Sequence, residues 1–394
     1  MNREDSWLLP EGVEEILPEA AENIESLRRR LLDTYASWGY ELVFPPLIEF
    51  LDSLLNGAGR DLETETFKIT DQLSGRLMGV RADITPQVAR IDAHALRRKG
   101  PVRLCYCSSA LRTRSAMPGG TRIPYQAGVE LFGHAGLESD REVVALMVET
   151  LAAAGVPAFT LDLGHVAVFR ALVDAASLDN EQSDALRAAY LRKSRVEIDE
   201  LVADFAVSDA LAVALRQLPW LAGDAAVIER ADETLAGVAP GVSEAVDELR
   251  QLAVFLASQY PSVQLHVDLG ELRGYHYHTG CLFAAYLPGQ SEPLAKGGRY
   301  DHIGEVFGRA RPATGFSADL KLLAGQANAL PVNGILAEGE LGDARFSEAV
   351  ATLRAQGERV LVMLPGMTND ATELRCDRRL VFRNGVWETD LIDS

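Results

Sequence analysis

An α+β fold is what the sequence predicts: a largely antiparallel sheet flanked by helices, with a helical insertion and a small C-terminal α/β unit. Three observations carry the expectation. Strand-like alternating runs interleave with helical periodicity up to residue 155, and alternation returns from residue 263. Between them, residues 165–260 become Ala/Leu/Glu/Asp-rich and helical, with few β-branched runs. After Pro331 a strand, a helix and further strands follow closely. The expected domains are a core over 1–325 that carries the insertion and a C-terminal α/β domain over 326–394.

In chain order, residues 16–38 repeat Ile24, Leu27, Leu31, Leu32 and Tyr35 at helical spacing and stop at Gly39. "YELVFPPLIEF" is extended. Pro45 and Pro46 fix φ and remove amide donors, which assigns it to an edge or an interface. "ETFKITDQLSGRLMGVRADITP" predicts a hairpin about Ser74-Gly75. A helix over "PQVARIDAHALRRK", strands over "VRLCYCSSALRTR" and "YQAGVELFG", and an amphipathic helix over "DREVVALMVETLAAAG" follow. "VQLHVDLGELRGYHYHTGCLFAAYLPG" and "KGGRYDHIGEVFG" have strand character, and "FSADLKLLAGQANAL" reads as a helix. In the tail, strands "NGILAE" and "RVLVMLPG" surround the helix of "ARFSEAVATLRAQG", and Asn384-Gly385 predicts a hairpin turn.

The 394 residues hold 38 basic against 57 acidic side chains, a net charge of −19. Nucleic-acid binders gain affinity by pairing cations with phosphates, so this balance argues against tRNA or any other nucleic acid as partner. Cys105, Cys107, Cys281 and Cys376 show no CxxC spacing and read as reduced thiols. The acidic start lacks a signal-like architecture, and no run approaches the ~20 apolar residues of a membrane span. A cytoplasmic protein without a membrane partner is expected.

"ELRGYHYHTG" poses the sharpest question. In a strand, His276 and His278 would share one face and a metal between them, or would simply pack. No further ligand stands at a recognised spacing, so neither a metal nor a cofactor is expected. Arg112, Arg114 and Arg122 flank "SAMPGG" and either hold an anion or are solvated. Asp83, Glu130 and Asp268 lie in apolar or β-like surroundings; Asp83 and Glu130 either fix an ammonium or pair with arginines. From the residues alone the result is a small-molecule pocket of mixed charge.

Taken together, the segments from Leu9 to Leu323 resemble histidyl-tRNA synthetase, a class II aminoacyl-tRNA ligase. "GYELVFPPLIEF" is similar to that family's first motif, which implies a homodimer through the region of Pro45 and Pro46. "VRADITPQVARI" resembles its "LRPEGT" segment, with Asp83 for glutamate and Thr85 retained. "ALRTRSAMPGGTRIPYQAGVELFG" resembles the second motif and its continuation. "ELRGYHYHTG" resembles "LVRGLDYYTG", with His276 for the aspartate and His278 for the second tyrosine, and "GGRYD" is kept. The resemblance implies an effector pocket for L-histidine made of Asp83, Thr85, Arg112, Gln126, Glu130, Arg273, Tyr277 and Tyr300.

Four replacements imply lost chemistry. Arg114 replaces the second-motif glutamate that meets the adenine end of ATP. In "GFSADLKL", against "GFAxGLER", Asp319 and Lys321 replace glycine and glutamate, and Leu322 replaces the arginine that grips the γ-phosphate. Adenylation rests on clamping phosphates, and one such charged contact contributes ~2–4 kcal/mol. The acidic tail is also shorter than an anticodon-binding domain. This is the pattern of the synthetase paralogues that regulate ATP phosphoribosyltransferase in histidine biosynthesis. It implies a non-catalytic subunit with no catalytic residues of its own. Its partner would be the short-form catalytic subunit, joined in a hetero-oligomer under feedback by histidine. No phosphoribosyl pyrophosphate loop like "TSGT" is present. The competing reading is a synthetase-like adenylating ligase acting on a small molecule or a protein.

Overall fold

The architecture is that of a computed structural model, which describes residues 7–55, 60–115, 119–326 and 333–392. The first six residues, Ala116–Pro118 of "SAMPGG", and residues 327–332 at the expected domain junction lie outside the described residues. The chain divides into two units, Met1–Ala327 and Asn328–Ser394.

In the first unit the strands are β1 (Glu41–Leu42), β2 (Ile48–Phe50), β3 (Phe67–Thr70), β4 (Leu77–Val80), β5 (Val102–Ser109), β6 (Tyr125–Phe132), β7 (Thr160–His165), β8 (Ala222–Gly223), β9 (Gln264–Asp268), β10 (Cys281–Tyr286), β11 (Pro293–Arg299) and β12 (Ala313–Asp319). Its helices begin with α1 (Pro18–Ser37), α2 (Leu51–Leu55), α3 (Arg60–Glu65), α4 (Thr85–Arg90) and α5 (Leu137–Ala153). The insertion supplies α6 (Val166–Ala175), α7 (Asn180–Leu191), α8 (Arg195–Asp204), α9 (Asp209–Gln217), α10 (Val227–Leu235) and α11 (Val242–Gln259), and α12 (Leu320–Ala324) closes the unit.

Nine strands form one sheet in the order β1-β5-β6-β12-β11-β10-β7-β9-β8. It is antiparallel except where β1 meets β5 and β7 meets β9. The chain leaves it after β1 for a small sheet, β2-β4-β3, whose β3–β4 hairpin turns at Gly75 with φ +70°. The predicted proline segment thus runs from the edge strand of the large sheet to the edge of the small one.

Helix α1 starts with Pro18, whose missing N–H costs nothing in a first turn, and buries Leu27, Leu31 and Tyr35 at a spacing of four. It stops at Gly39, φ +83°. These side chains pack with Val143, Met147 and Leu151 of α5 on the sheet face of Cys105, Val129 and Phe316. The opposite face carries Leu104, Tyr106 and Phe132, packed with Ile84, Val88 and Tyr300. Both faces of β5 and β6 are therefore covered, which explains their nearly continuous burial.

Two sequence expectations are corrected. Residues 271–280 form turns, not a strand: Gly274 takes φ +71° and its carbonyl accepts from the amides of Tyr277 and His278. Phe316–Asp319 finishes β12 instead of starting a helix, and α12 is only Leu320–Ala324. The pairing of β12 with both β6 and β11 outweighs the local preference of a short segment.

The second unit orders its strands β14 (Arg359–Val362), β13 (Gly334–Ala337), β15 (Arg378–Arg383) and β16 (Val386–Leu391), with helix α13 (Ala344–Ala355). Its core is Ile335, Ala337, Phe346, Val350 and Leu380, with Trp387 edge-on to Phe346 at 5.1 Å. Asn384 and Gly385 turn the β15–β16 hairpin with φ +50° and +85°. Gly385→Ala should destabilise this unit by about 1 kcal/mol, read as a lower denaturation midpoint at unchanged slope.

Candidate functional site

The site is built on the sheet face opposite α1 and α5. Glu130 stands near the end of β6, with Leu104 of β5 on one side and Gly315 of β12 on the other. A Cβ at Gly315 would lie 1.7 Å from Glu130 Oε2, so this glycine makes the space that the carboxyl occupies. Gly128 does the same for Tyr106, its register partner, whose hydroxyl would lie 2.5 Å from a Cβ there.

Glu130 is 1% exposed. The Tyr106 hydroxyl donates to its Oε1 at 3.3 Å and the Tyr300 hydroxyl donates to its Oε2. Thr85, at the start of α4, places its hydroxyl 3.2 Å from that of Tyr106. Tyr277, in the turn after β9, lays its ring on Tyr300 at 5.0 Å between centroids. Among the described residues no lysine or arginine lies within ion-pair distance of Glu130. Burial therefore pushes its carboxyl well above the ordinary range, and nearby Asp83 pushes it further, against the hydrogen bonds from Thr85 and Tyr106. Burial likewise raises the Tyr106 and Tyr277 hydroxyls, which stay protonated. Two buried polar atoms here have no hydrogen-bond partner: the Tyr277 hydroxyl and Gln126 Oε1, the latter on the same face of β6 as Glu130.

The structure thus gathers Asp83, Thr85, Glu130, Tyr277 and Tyr300, with Gln126 two alternations along β6. Tyr106 joins them without having been singled out from the sequence. Its signal was the even parity it shares with Leu104 on β5, legible only once β5 is paired with β6 in register. Arg112 stands at the rim, its Nε 3.3 Å from the Ala82 carbonyl and 3.6 Å from Glu65. Arg273 is not brought into the group: Glu271 grips its guanidinium at 2.9 and 3.0 Å, and it lies over the Tyr286 ring. His278 rests against Gly298 and donates from Nδ1 to the Gly274 carbonyl at 3.1 Å. Burial holds its pKa down at about 4, so the ring is a neutral wall. His276 points away, 3.3 Å from Asp184. The two histidines share no face.

Asp268 pairs with Lys193 at 3.0 Å. Arg122 braces the rim, donating to the carbonyls of Arg112 and Glu11.

The chain matches the histidyl-tRNA synthetase family model over residues 12–323 and the ATP phosphoribosyltransferase subunit HisZ C-terminal domain over residues 332–390. A protein named ATP phosphoribosyltransferase regulatory subunit from Chromohalobacter salexigens is 52% identical over 387 residues, 98% of each chain. The chain belongs to this family. A relative of the same name from Alkalilimnicola ehrlichii is also 52% identical, over 96% of this chain and 95% of its own. Among solved structures, a regulatory subunit/histidyl-tRNA synthetase from Bacillus halodurans superposes with a TM-score of 0.81 at 29% identity, covering 93% of this chain and 95% of that one. A histidyl-tRNA synthetase from Nostoc shares the fold alone, with a TM-score of 0.79 at 18% identity over 95% and 91% of the two chains. The class II synthetase-like α+β fold is that of the family.

The residues singled out in "GFSADLKL" make contacts within the chain. Asp319 caps α12, accepting from the amide of Lys321 at 2.9 Å and that of Tyr125 at 3.3 Å. Burial raises its carboxyl. Lys321 is drawn to Glu14 at 2.9 Å. Leu322 is 40% exposed on α12.

Proposed function

We propose that this chain is the non-catalytic partner of the short-form ATP phosphoribosyltransferase catalytic subunit and senses L-histidine in the Glu130 pocket. One observation carries the reading: a fully buried carboxyl, ringed by hydroxyls, has no cation beside it among the described residues. An amino acid's ammonium supplies that cation, and Asp83 adds to the attraction. The orphan Tyr277 hydroxyl and Gln126 Oε1 offer a donor and an acceptor to the rest of the ligand. The turn over 271–280 carries Tyr277 without a strand partner, which makes it the wall that yields for entry. Feedback then requires only that histidine bind the inhibited arrangement of the complex more tightly than the active one.

Loss of activation chemistry is part of the proposal. Leu322 cannot neutralise a phosphate, and the Asp319 carboxylate opposes one. The acidic balance of the chain, 38 basic against 57 acidic side chains, supports a role without tRNA, and a cytoplasmic setting is part of the proposal. Calorimetric titration of the purified chain tests both sides of the reading. L-histidine should bind, ATP should not, and ATP-dependent pyrophosphate exchange should be absent. Strong ATP binding, or exchange, would instead support an adenylating ligase. Tyr106→Phe, which removes one hydroxyl and keeps the ring on Gly128, should weaken histidine about two- to tenfold in the same titration.

Dimerisation through the first-motif segment is proposed as well. Leu42, Phe44, Leu47, Ile48 and Phe50 form an exposed apolar run, and Phe44 is 76% exposed. Phe44→Asp should shift the chain from dimer toward monomer in light scattering, while circular dichroism stays unchanged. An unchanged mass would remove this segment from the interface.

A further inference from the structure

We propose that His165, Glu248 and Cys281 form a binding site for a divalent transition-metal ion of the zinc class, on the sheet face opposite Glu130. His165 closes β7 and Cys281 opens β10; they are register partners on antiparallel neighbours, so their side chains leave the sheet on one face. Glu248 arrives from α11 of the insertion, its Oε2 2.9 Å from His165 Nε2. One donor atom from each of the three residues lies within 4.8 Å of the others. Tetrahedral zinc holds sulfur, nitrogen and oxygen ligands about 3.5 Å apart. The Glu248 side chain is partly exposed and would rotate to reach that spacing on binding. Thiol and imidazole select a zinc-like ion over magnesium or calcium, which favour all-oxygen sites.

A second observation points to a ligand here. His165 and Glu248 line a cavity of about 690 Å³ between the sheet and helices α5, α6 and α11, wide enough for an ion with a water at its fourth position. His165, more than nine-tenths buried, lines the cavity yet holds a polar atom without a partner, Nδ1. Buried polar atoms are nearly always paired. An ion or its bound water is a partner for such a nitrogen. Arg299 does not repel the ion, because Asp140 at 2.6 Å and Asp301 at 3.3 Å already match its charge. On binding, the Cys281 thiol releases its proton to solvent and the ion exchanges hydration waters for sulfur, nitrogen and oxygen; no electrons move. The ion would tie α11 of the insertion to the central sheet.

The test is a Co²⁺ titration of the full chain, first stripped of metal. One equivalent should bind with a thiolate-to-cobalt charge-transfer absorption that Zn²⁺ removes. Cys281→Ser should abolish the band, Cys376→Ser should leave it, and Glu248→Gln should weaken binding at least about tenfold. No charge-transfer band in the wild-type chain, or a band that survives Cys281→Ser, overturns the proposal. If Cys281→Ser does not fold, Glu248→Gln decides, because that side chain is partly exposed: an unchanged affinity overturns the site.

Discussion

Glu130→Ala is expected to weaken L-histidine binding to the full chain by about tenfold to a hundredfold, the ~1.5–3 kcal/mol of a charged hydrogen bond. The alanine removes the buried carboxyl that the Tyr106 and Tyr300 hydroxyls address. Glu130→Gln separates binding from folding. Burial raises the folded carboxyl's pKa above its unfolded value, so its contribution to stability is fully present below about 4.3 and is lost as pH rises through the raised value. Glutamine has no such loss. The melting temperature of Glu130→Gln should therefore gain on that of the wild type as pH rises through that window. A ligand ammonium acts in the opposite sense, favouring the carboxylate. Histidine binding should release protons, seen as a dependence of the titration heat on the buffer's ionisation enthalpy. A pH-independent difference in melting temperature would mean that Glu130 is ionised in the empty pocket.

The second large effect lies beneath the pocket. Arg311 Nη1 contacts both Asp92 oxygens, at 2.8 and 3.0 Å, with both side chains buried. Gly133, φ +88°, leaves the room: a Cβ there would fall 1.8 Å from Arg311 Nη2. Asp92→Ala leaves a buried guanidinium without its carboxylate and should cost about 3–5 kcal/mol in chemical denaturation. Converting both residues to apolar ones of similar volume should recover much of that. The pair also frames the site. Asp92 sits in the turn that continues α4, which carries Thr85. Arg311 lies just before Ala313, whose carbonyl accepts from the Tyr300 amide at 2.8 Å. Asp92→Ala should thus loosen two pocket walls, with histidine affinity falling in the folded fraction. A loss below 1 kcal/mol would show that water reaches Arg311.

Much of this was legible in the residues. The 3.6 period of Leu27, Leu31 and Tyr35, the alternation of β5 and β6, and the Asn384-Gly385 turn reflect local physics that pairing reinforces. Where local preference and pairing disagree, pairing decides, as in Phe316–Asp319. Phe316 and Ala318 look helical beside "LKLLAG", yet they complete a ladder with β6 and β11. In the site, Glu130 stood out as a carboxylate in β-like surroundings and Tyr300 through resemblance, whereas Tyr106 required the strand register. For Arg273, motif position says nothing about a competing partner; Glu271, two residues away, holds it. The "YHYH" histidines looked like a pair only on the assumption of a strand, and the positive φ of Gly274 removes that assumption. His165, Glu248 and Cys281 are far apart in sequence; the β7–β10 register pairs the first and last, and the crossing of α11 over the sheet adds Glu248.

The most direct test of the central claim is histidine inhibition of the complex reconstituted from this chain and a short-form ATP phosphoribosyltransferase catalytic subunit, comparing the wild-type chain with Glu130→Ala. The pocket account predicts comparable activity without histidine and an inhibitory concentration raised at least about tenfold in the variant. An unchanged inhibitory concentration, with both complexes intact, would contradict it and place the sensor elsewhere in the assembly.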